Sequence, residues 1–292
     1  MSSSKRSPSQ ATTIDLLPAE ELLRDLLLEC RQQLATPELE VWITGGWVRD
    51  RLMGIPCSDL DIALSTMTEE SRQVEKARDC CWKNLRLGSG SCQPEVRKEA
   101  YDDDCRTPET EFGTIEEDAF RRDATANALF FDLQNRKVAD FTRRGLDDLE
   151  AGIMRTPLEP RQTFLDDPLR VLRLIRIGSK LGFTLDPEAL SCIKEHEIHV
   201  ALDEKVSRER VGIEVFKMMK NRNPELSFSL IHEANLYGTV FLSLRSPLHE
   251  HLRHLLPQEP EKPWPATWSR TINTITTFSA GSSKGSLGFD GI

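Results

Sequence analysis

Asp59 and Asp61 stand one residue apart near the end of residues 44–62, TGGWVRDRLMGIPCSDLDI. The same short span holds the pair Gly45-Gly46 and the pair Arg49-Asp50. Residues one apart on a strand point to opposite faces, but at a frayed or bulged strand end both can turn toward one site. Two carboxylates so placed suit Mg²⁺, which takes oxygen ligands and shares them with substrate phosphates. Glycines let backbone N–H groups approach a phosphate, because no Cβ intervenes. The planar fork of Arg49 matches phosphate oxygens. Together these residues describe a site for a nucleoside triphosphate with metal ions. Each has a plainer reading: Gly-Gly as a turn, Asp-x-Asp as a solvated strand end, Arg49-Asp50 as a surface ion pair.

The order of elements favours the site. Val41, Trp42 and Ile43 form an apolar strand, then come the glycines, a helical stretch, and a second strand Asp-Leu-Asp-Ile-Ala-Leu carrying the acids. Upstream, Leu16, Leu17, Leu23, Leu26 and Leu27 make a helical stripe to about Gln33, with Thr13 or Asp15 as its cap. Residues 69–82 read as helical and the Gly/Ser-rich stretch 87–94 as an irregular loop. The apolar residues of 120–133 and 137–141 suit a buried helix or strand pair.

Residues 166–181 carry the clearest helical pattern, with Pro168 at the first position and Asp167 capping it. Leu169, Val171, Leu172, Leu174 and Ile175 supply its apolar residues, and Arg170, Arg173 and Arg176 recur every third residue on another face. A second helix is expected over 207–219, with Val211, Val215, Met218 and Met219 as its apolar side, and a third over 224–234.

A net charge of −9 over 292 residues argues against a surface that coats nucleic acid broadly, though not against a local basic groove. Much of the negative charge lies between Glu99 and Asp118, in a run that reads as a solvated loop and lacks an EF-hand pattern. Seven cysteines without a Cys-x-x-Cys pair read as reduced thiols of an intracellular protein. No segment is long and apolar enough to span a membrane. The Ser-rich start, with Lys5 and Arg6, reads as a disordered tail rather than a mitochondrial signal.

Strand, Gly-Gly, helix and Asp-x-Asp together resemble the nucleotidyltransferase superfamily related to DNA polymerase β. Further blocks narrow the resemblance: EFGTIEEDAFRRDAT and RRDATANAL, then DFTRRGLDDLEAGIMR, then DDPLRVLRLIR, then SRERVGIE. In this order, over roughly residues 37–240, they are similar to the class II tRNA nucleotidyltransferases, the CCA-adding enzymes and their poly(A) polymerase kin, and most to fungal members.

The resemblance implies an α/β nucleotidyltransferase head over 14–155, with a polymerase β-like mixed sheet flanked by helices. It implies an all-α neck over 156–222 and a partial helical body over 223–256; residues 1–13 and 257–292 are expected to be disordered. It assigns the catalytic metal ions, Mg²⁺, to Asp59 and Asp61, and triphosphate contacts to Gly45, Gly46 and Arg49. Arg122, Asp123 and Asn127 match the ribose-sensing motif, the plainer reading of Asp123 being an ion pair with a neighbouring Arg. Asp140, Gly145 and Asp148 match a flexible element, with a plain turn as the alternative at the glycine.

Asp167 and Arg170, with Arg173 beside them, match the side chains that read the incoming base, both first residues on one helix face; the alternative is a helix cap and a solvated charge. Arg208, Glu209, Arg210 and Glu214 match an ion-pair network that braces this helix. The implied reaction adds CCA to tRNA 3′ ends from CTP and ATP, with no DNA or membrane partner, in cytoplasm, nucleus or mitochondrion. Alternatives are A-only addition by a poly(A) polymerase-type enzyme and a non-catalytic RNA- or nucleotide-binding relative. A phosphatase using Asp59 and Asp61 lacks its partner residues.

The chain departs from the family in three places. The stretch between Asp61 and Arg97 is shorter than expected and lacks wording such as Asp-Phe-Val-Asn-Leu-Arg ahead of KEAYDDD. The periodic helices that would grip tRNA fade after about Leu256. Ala126 stands where the family favours a larger apolar residue, a change that leaves room in the core.

Overall fold

The computed structural model describes residues 13–33, 39–57, 59–65, 97–100, 109–112 and 114–242, with 97–100 and 109–112 described by backbone alone. The expectations for the chain ends, for a helix over 69–82, for the loop at 87–94 and for the shortened stretch after Asp61 lie outside the described residues or nearly so. The chain divides into two compact units, 1–149 and 150–292.

The first unit is built on a four-stranded sheet: β1 (Val41–Thr44), β2 (Asp61–Leu64), β5 (Leu129–Asp132) and β6 (Lys137–Asp140), in the order β2-β1-β5-β6. Its described ladders are antiparallel, with Thr44 opposite Asp61 and Ile43 opposite Phe131. Side chains alternate across a strand, so each contributes to both faces. Val41, Ile43, Ile62, Leu64, Leu129 and Phe131 pack on one face with Leu23 and Leu27 of helix α1 (Pro18–Gln33) and Trp47 and Val48 of α2 (Gly46–Leu52). Trp42, Ala63 and Phe130 point the other way, onto Ile115 and Ala119 of α3 (Ile115–Phe120). Trp42, Phe130 and Phe141 meet there edge to face. The sheet is thus covered by helices on both sides, and Ala126 is fully buried beside it.

Several local expectations change. Helix α1 starts at Pro18, beyond both expected caps; the Glu20 carboxylate instead accepts the Leu17 N–H at 2.7 Å. Part of the acidic run is not a loop: β3 (Arg97–Ala100) pairs with β4 (Glu109–Phe112), placing Lys98 opposite Glu111. The run also continues into α3, which opens on a capping box. Thr114 accepts from Glu117 N–H at 3.1 Å, and Glu117 accepts from Thr114 N–H at 2.7 Å. The open choice over 120–141 resolves into a 3₁₀ turn, Thr125–Asn127, followed by the β5–β6 hairpin. Helix α4 (Gly145–Ala151) crosses the boundary between the units.

The second unit is helical: α5 (Pro160–Asp166), α6 (Leu169–Leu181), α7 (Pro187–Ile193), α8 (His196–Lys205), α9 (Arg208–Met219) and α10 (Pro224–Glu233). A short parallel pair, β7 (Ile153–Met154) and β8 (Thr184–Leu185), lies beside α6. Helix α6 carries the core through Val171, Leu172, Leu174 and Ile175, and α9 and α10 pack on it. On α9, Met219 is 56 % exposed and so is not part of the buried face, which Val211, Met218 and the charged Glu214 form. Cys30, Cys57 and Cys192 are thiols, not disulfides.

Candidate active site

The geometry of the site begins where β1 ends. Thr44 pairs with Asp61, so the next residue, Gly45, lies beside the Asp61 carboxylate. Gly45 turns the chain at φ 74°, ψ −139°, a region that side chains disfavour. A Cβ at Gly45 would lie 3.1 Å from Arg122 Nη1 and 3.3 Å from Asp61 Oδ2. The glycine therefore meets two requirements: a positive φ and room for a carboxylate and a guanidinium to converge on the backbone. Gly46 then starts α2, and a Cβ there would press on the Arg49 guanidinium at 3.3 Å.

Asp59 lies before β2 and is exposed; Asp61 is the first residue of that strand and is half-buried. Both acids were expected on the strand; placing Asp59 outside it removes the alternation that would have sent the two side chains apart. Burial pushes the Asp61 carboxyl up, Arg122 draws it down, and the Asp59 charge pushes it up again. A half-buried carboxylate whose charge a neighbouring carboxylate disfavours and one Arg favours fits a hard divalent cation. No group of three or more potential metal-holding side chains exists among the described residues.

Arg49 is not a surface residue: at 5 % exposure it is buried, as is Asp50. Its Nε donates to Asp50 Oδ1 at 2.7 Å and its Nη1 to Asn127 Oδ1. Asn127 Nδ2 in turn donates to Asp123 Oδ1 at 2.8 Å. The residues matched to triphosphate and ribose contacts thus form one chain, Arg49–Asn127–Asp123, running beneath the Gly-Gly turn. Buried amide and carboxylate groups are stable there because each is hydrogen-bonded.

Arg122 is held from three sides. Its Nη2 donates to Asp118 Oδ2 at 2.7 Å, its Nη1 approaches the Asn127 carbonyl at 3.5 Å, and its plane lies over Phe130 at 5.1 Å. Asp118 also accepts from Arg121 Nε at 2.6 Å and is itself buried. The residue was not singled out from sequence, although its position four before Arg122 on a helix is legible as an i,i+4 ion pair.

Asp140, Gly145 and Asp148 gather around the 3₁₀ turn. Asp140 accepts from Thr142 Oγ1 at 2.7 Å and from the Leu146 N–H at 3.1 Å. Asp148 accepts from Thr125 Oγ1 at 2.8 Å. A Cβ at Gly145 would sit 2.7 Å from the Thr125 carbonyl oxygen and 2.9 Å from Leu129 Cδ2. Gly145 is therefore required by close backbone approach at a helix start, and its φ is not positive.

In the second unit, Asp167 does not share a helix face with Arg170. It ends α5 at φ −138°, ψ 95°, an extended conformation imposed by the following Pro168. Pro168 is the N-cap of α6 rather than its first residue, so Asp167 stands one position outside the expected cap, where its Oδ1 accepts from the Leu169 N–H at 3.2 Å. Arg170 is buried, not a solvated charge, and Arg173 is half-buried. Arg176 Nε donates to Glu214 Oε2 at 2.5 Å, tying α6 to α9. Arg208 leaves this brace: its Nη atoms donate to the Thr239 and Val240 carbonyls, and Glu209 and Arg210 are exposed.

Comparison with known proteins agrees with this geometry. The model of the poly A polymerase head domain matches residues 41–155. A second model, described as the probable RNA and SrmB-binding site of polymerase A, matches residues 182–247. The mitochondrial CCA tRNA nucleotidyltransferase of Saccharomyces cerevisiae is 42% identical over 231 residues, 70% of this chain and 42% of the relative. The CCA-adding enzyme of Ligilactobacillus salivarius is 35% identical over 206 residues, 68% of this chain and 50% of the relative. The chain thus spans about half the length of these curated relatives. Among solved structures, Bacillus stearothermophilus CCA-adding enzyme in complex with CTP shares the fold, with a TM-score of 0.59 and 21% identity over 92% of this chain and 71% of that one. No helix among the described residues is long and apolar enough to cross a membrane. The match of the head, the blocks that follow it and the shared fold lead to one conclusion: the chain belongs to the poly A polymerase head-domain family, the nucleotidyltransferases that include the CCA-adding enzymes.

Proposed function

We propose that this protein transfers nucleotides from CTP and ATP to the 3′ end of tRNA, completing the CCA terminus. The observation that carries the proposal is the convergence of Asp61 and Arg122 on the backbone of Gly45, with the charge of Asp59 felt at Asp61. The acids supply hard oxygen ligands on one side of the turn, and Arg122 and the glycine backbone supply donors for a triphosphate. Mg²⁺ held by Asp59 and Asp61 would neutralise triphosphate charge and make the RNA 3′-hydroxyl more acidic.

In the reaction, the 3′-hydroxyl oxygen bonds to the α-phosphorus, the bond to pyrophosphate breaks, and the hydroxyl proton leaves to solvent. The chain's own residues orient the two reactants rather than form a covalent intermediate. Asp123 and Asn127 would recognise the ribose 2′-hydroxyl, with Arg49 bracing Asn127 and Gly46 from below. Asp167, Arg170 and Arg173 would read the base edge: an Arg donates to cytosine acceptors and an Asp accepts from an exocyclic amine. Asp140, Gly145 and Asp148 would be the hinge that lets the head adjust between C and A, by releasing the Thr125–Asp148 hydrogen bond. In this reading residues 156–222 serve as the neck and 223–256 as part of a body, and the protein works inside the cell, with mitochondria one location suggested by the yeast relative's name.

The test is addition to a tRNA lacking CCA, with CTP, ATP and Mg²⁺, beside an Asp59→Ala/Asp61→Ala double variant. Addition of C, C and A by the wild type alone is expected. Long A tails from ATP alone would replace the proposal with a poly(A) activity. Thermal stabilisation by CTP and Mg²⁺ without incorporation would replace it with a binding role.

A further inference from the structure

Asp118 lies outside every role assigned so far, yet it is one of the most buried charged groups in the first unit, at 2 % exposure. It sits on α3 and receives two guanidinium groups, Arg121 on Oδ1 at 2.6 Å and Arg122 on Oδ2 at 2.7 Å. The two Arg side chains have different destinations. Arg121 is held against Asp118 through both Nε and Nη2. Arg122 gives Asp118 only Nη2, while its Nη1 faces Gly45, where a Cβ would be 3.1 Å from it and 3.3 Å from Asp61 Oδ2.

Two carboxylates thus compete for one guanidinium. Arg122 Nη1 and Asp61 Oδ2 both face the same side of Gly45, yet no hydrogen bond joins the two, and Arg122 is instead bonded to Asp118. A bidentate Arg–carboxylate pair is the strong arrangement for these groups. If Arg122 turned both nitrogens to Asp61, the carboxylate would lose the lone pairs that a cation needs, and the site would lose the donor that faces the triphosphate.

We propose that Asp118 is a positioning residue that holds Arg122 off Asp61, keeping the Asp61 carboxylate available to a divalent cation and Arg122 available to a phosphate. The inference rests on the metal-dependent reading of Asp59 and Asp61. Phe130 completes the restraint, because the Arg122 plane over its ring cannot rotate freely without leaving that face. A purely structural Asp118 would stabilise α3 and leave cation binding unchanged. As a positioning residue it controls cation affinity through Arg122.

The experiment measures Mn²⁺ binding to the purified full chain by loss of the free-ion electron paramagnetic resonance signal, in the absence of nucleotide. Asp118→Asn is expected to weaken Mn²⁺ binding about tenfold, the scale seen when a group orienting a metal ligand is removed. Adding Arg122→Met to that variant is expected to restore binding to within about twofold of wild type, because the competing guanidinium is gone. Arg121→Met removes the other ion pair of the same carboxylate and is expected to leave Mn²⁺ binding unchanged. If Asp118→Asn lacks the far-UV dichroism of folded protein, Asp118→Glu replaces it; the displaced carboxylate is expected to weaken binding in the same direction. Wild-type binding in a folded Asp118 variant, or a double variant as weak as the single one, overturns the inference while leaving the metal reading intact. A wild type that binds no Mn²⁺ overturns both.

Discussion

At the scale of single residues, two glycines separate chemistry from architecture. Gly45 is constrained by φ and by the pair of side chains that converge on it. Gly45→Ala is expected to lower the rate of nucleotide addition by about 10²-fold, since displacements near 1 Å at a reacting centre have that effect. Single-turnover addition to a tRNA lacking CCA measures it, with far-UV dichroism confirming a folded chain; a rate within threefold of wild type, roughly 0.7 kcal/mol, would count against the convergence. Gly145 has no φ requirement, but a Cβ there would sit 2.7 Å from the Thr125 carbonyl oxygen. Gly145→Ala is expected to destabilise the chain by about 1–3 kcal/mol through overpacking, read as a lower midpoint in urea.

At the scale of elements, buried carboxylates act as clamps between helices. Glu20 on α1 accepts from Trp47 Nε1 at 3.0 Å and is ion-paired to Arg51, both on α2, the helix that opens at the Gly-Gly turn. Glu20→Ala leaves the Trp47 donor buried without this partner and is expected to cost about 2–3 kcal/mol. Because α2 starts at Gly46, the same variant is expected to weaken nucleotide binding, measured by isothermal titration with CTP and Mg²⁺. In the second unit Glu214 joins α9 to Arg176 on α6. Glu214→Ala is expected to cost roughly 2–3 kcal/mol, less than a fully buried pair because Arg176 retains some contact with water. Urea unfolding of the full chain checks both substitutions, and a change under 0.5 kcal/mol, about the size of surface effects, would deny the clamp.

At the scale of the whole molecule, stability depends on pH through His199 on α8. Desolvation holds its imidazole below the ordinary histidine value, partly offset by the Ile193 and Ala234 carbonyls, while the neighbouring His196 acts in the same direction as burial. The unfolded chain therefore binds the proton more readily than the folded one. The contribution of His199 to stability is complete above the unfolded histidine value of about 6.5 and is lost as pH falls below it. His199→Gln is expected to flatten the decline in melting temperature between about pH 6.5 and 5.5, as followed by differential scanning calorimetry. An unchanged slope would assign that decline to other groups.

Much of the candidate site was legible in the chain, because its residues lie close together in sequence. The order strand, Gly-Gly, helix, acid pair identifies the turn and both carboxylates, and the later blocks identify the family. Local rules also place α6, which ends in a left-handed Gly182, and α9, capped by Ser207. The capping box at Thr114–Glu117 and the Asp-Pro start at Asp186–Pro187 were equally readable, yet α3 and α7 were overlooked beneath an acidic run and a weakly periodic stretch.

What the tertiary structure alone decides are the pairings across long separations and the burial they create. Periodicity cannot tell that Arg49 is bonded to Asn127, or that Glu20 reaches Trp47. Nor can it show that Gly145 is needed for its neighbour's carbonyl rather than for a turn. Residue types and short spacings determine which chemistry the chain can hold, since caps, turns and strand alternation act within a few residues. Which charge is buried, and which carboxylate a given Arg serves, depends on desolvation and on competing partners that only the folded sheet and its covering helices bring together.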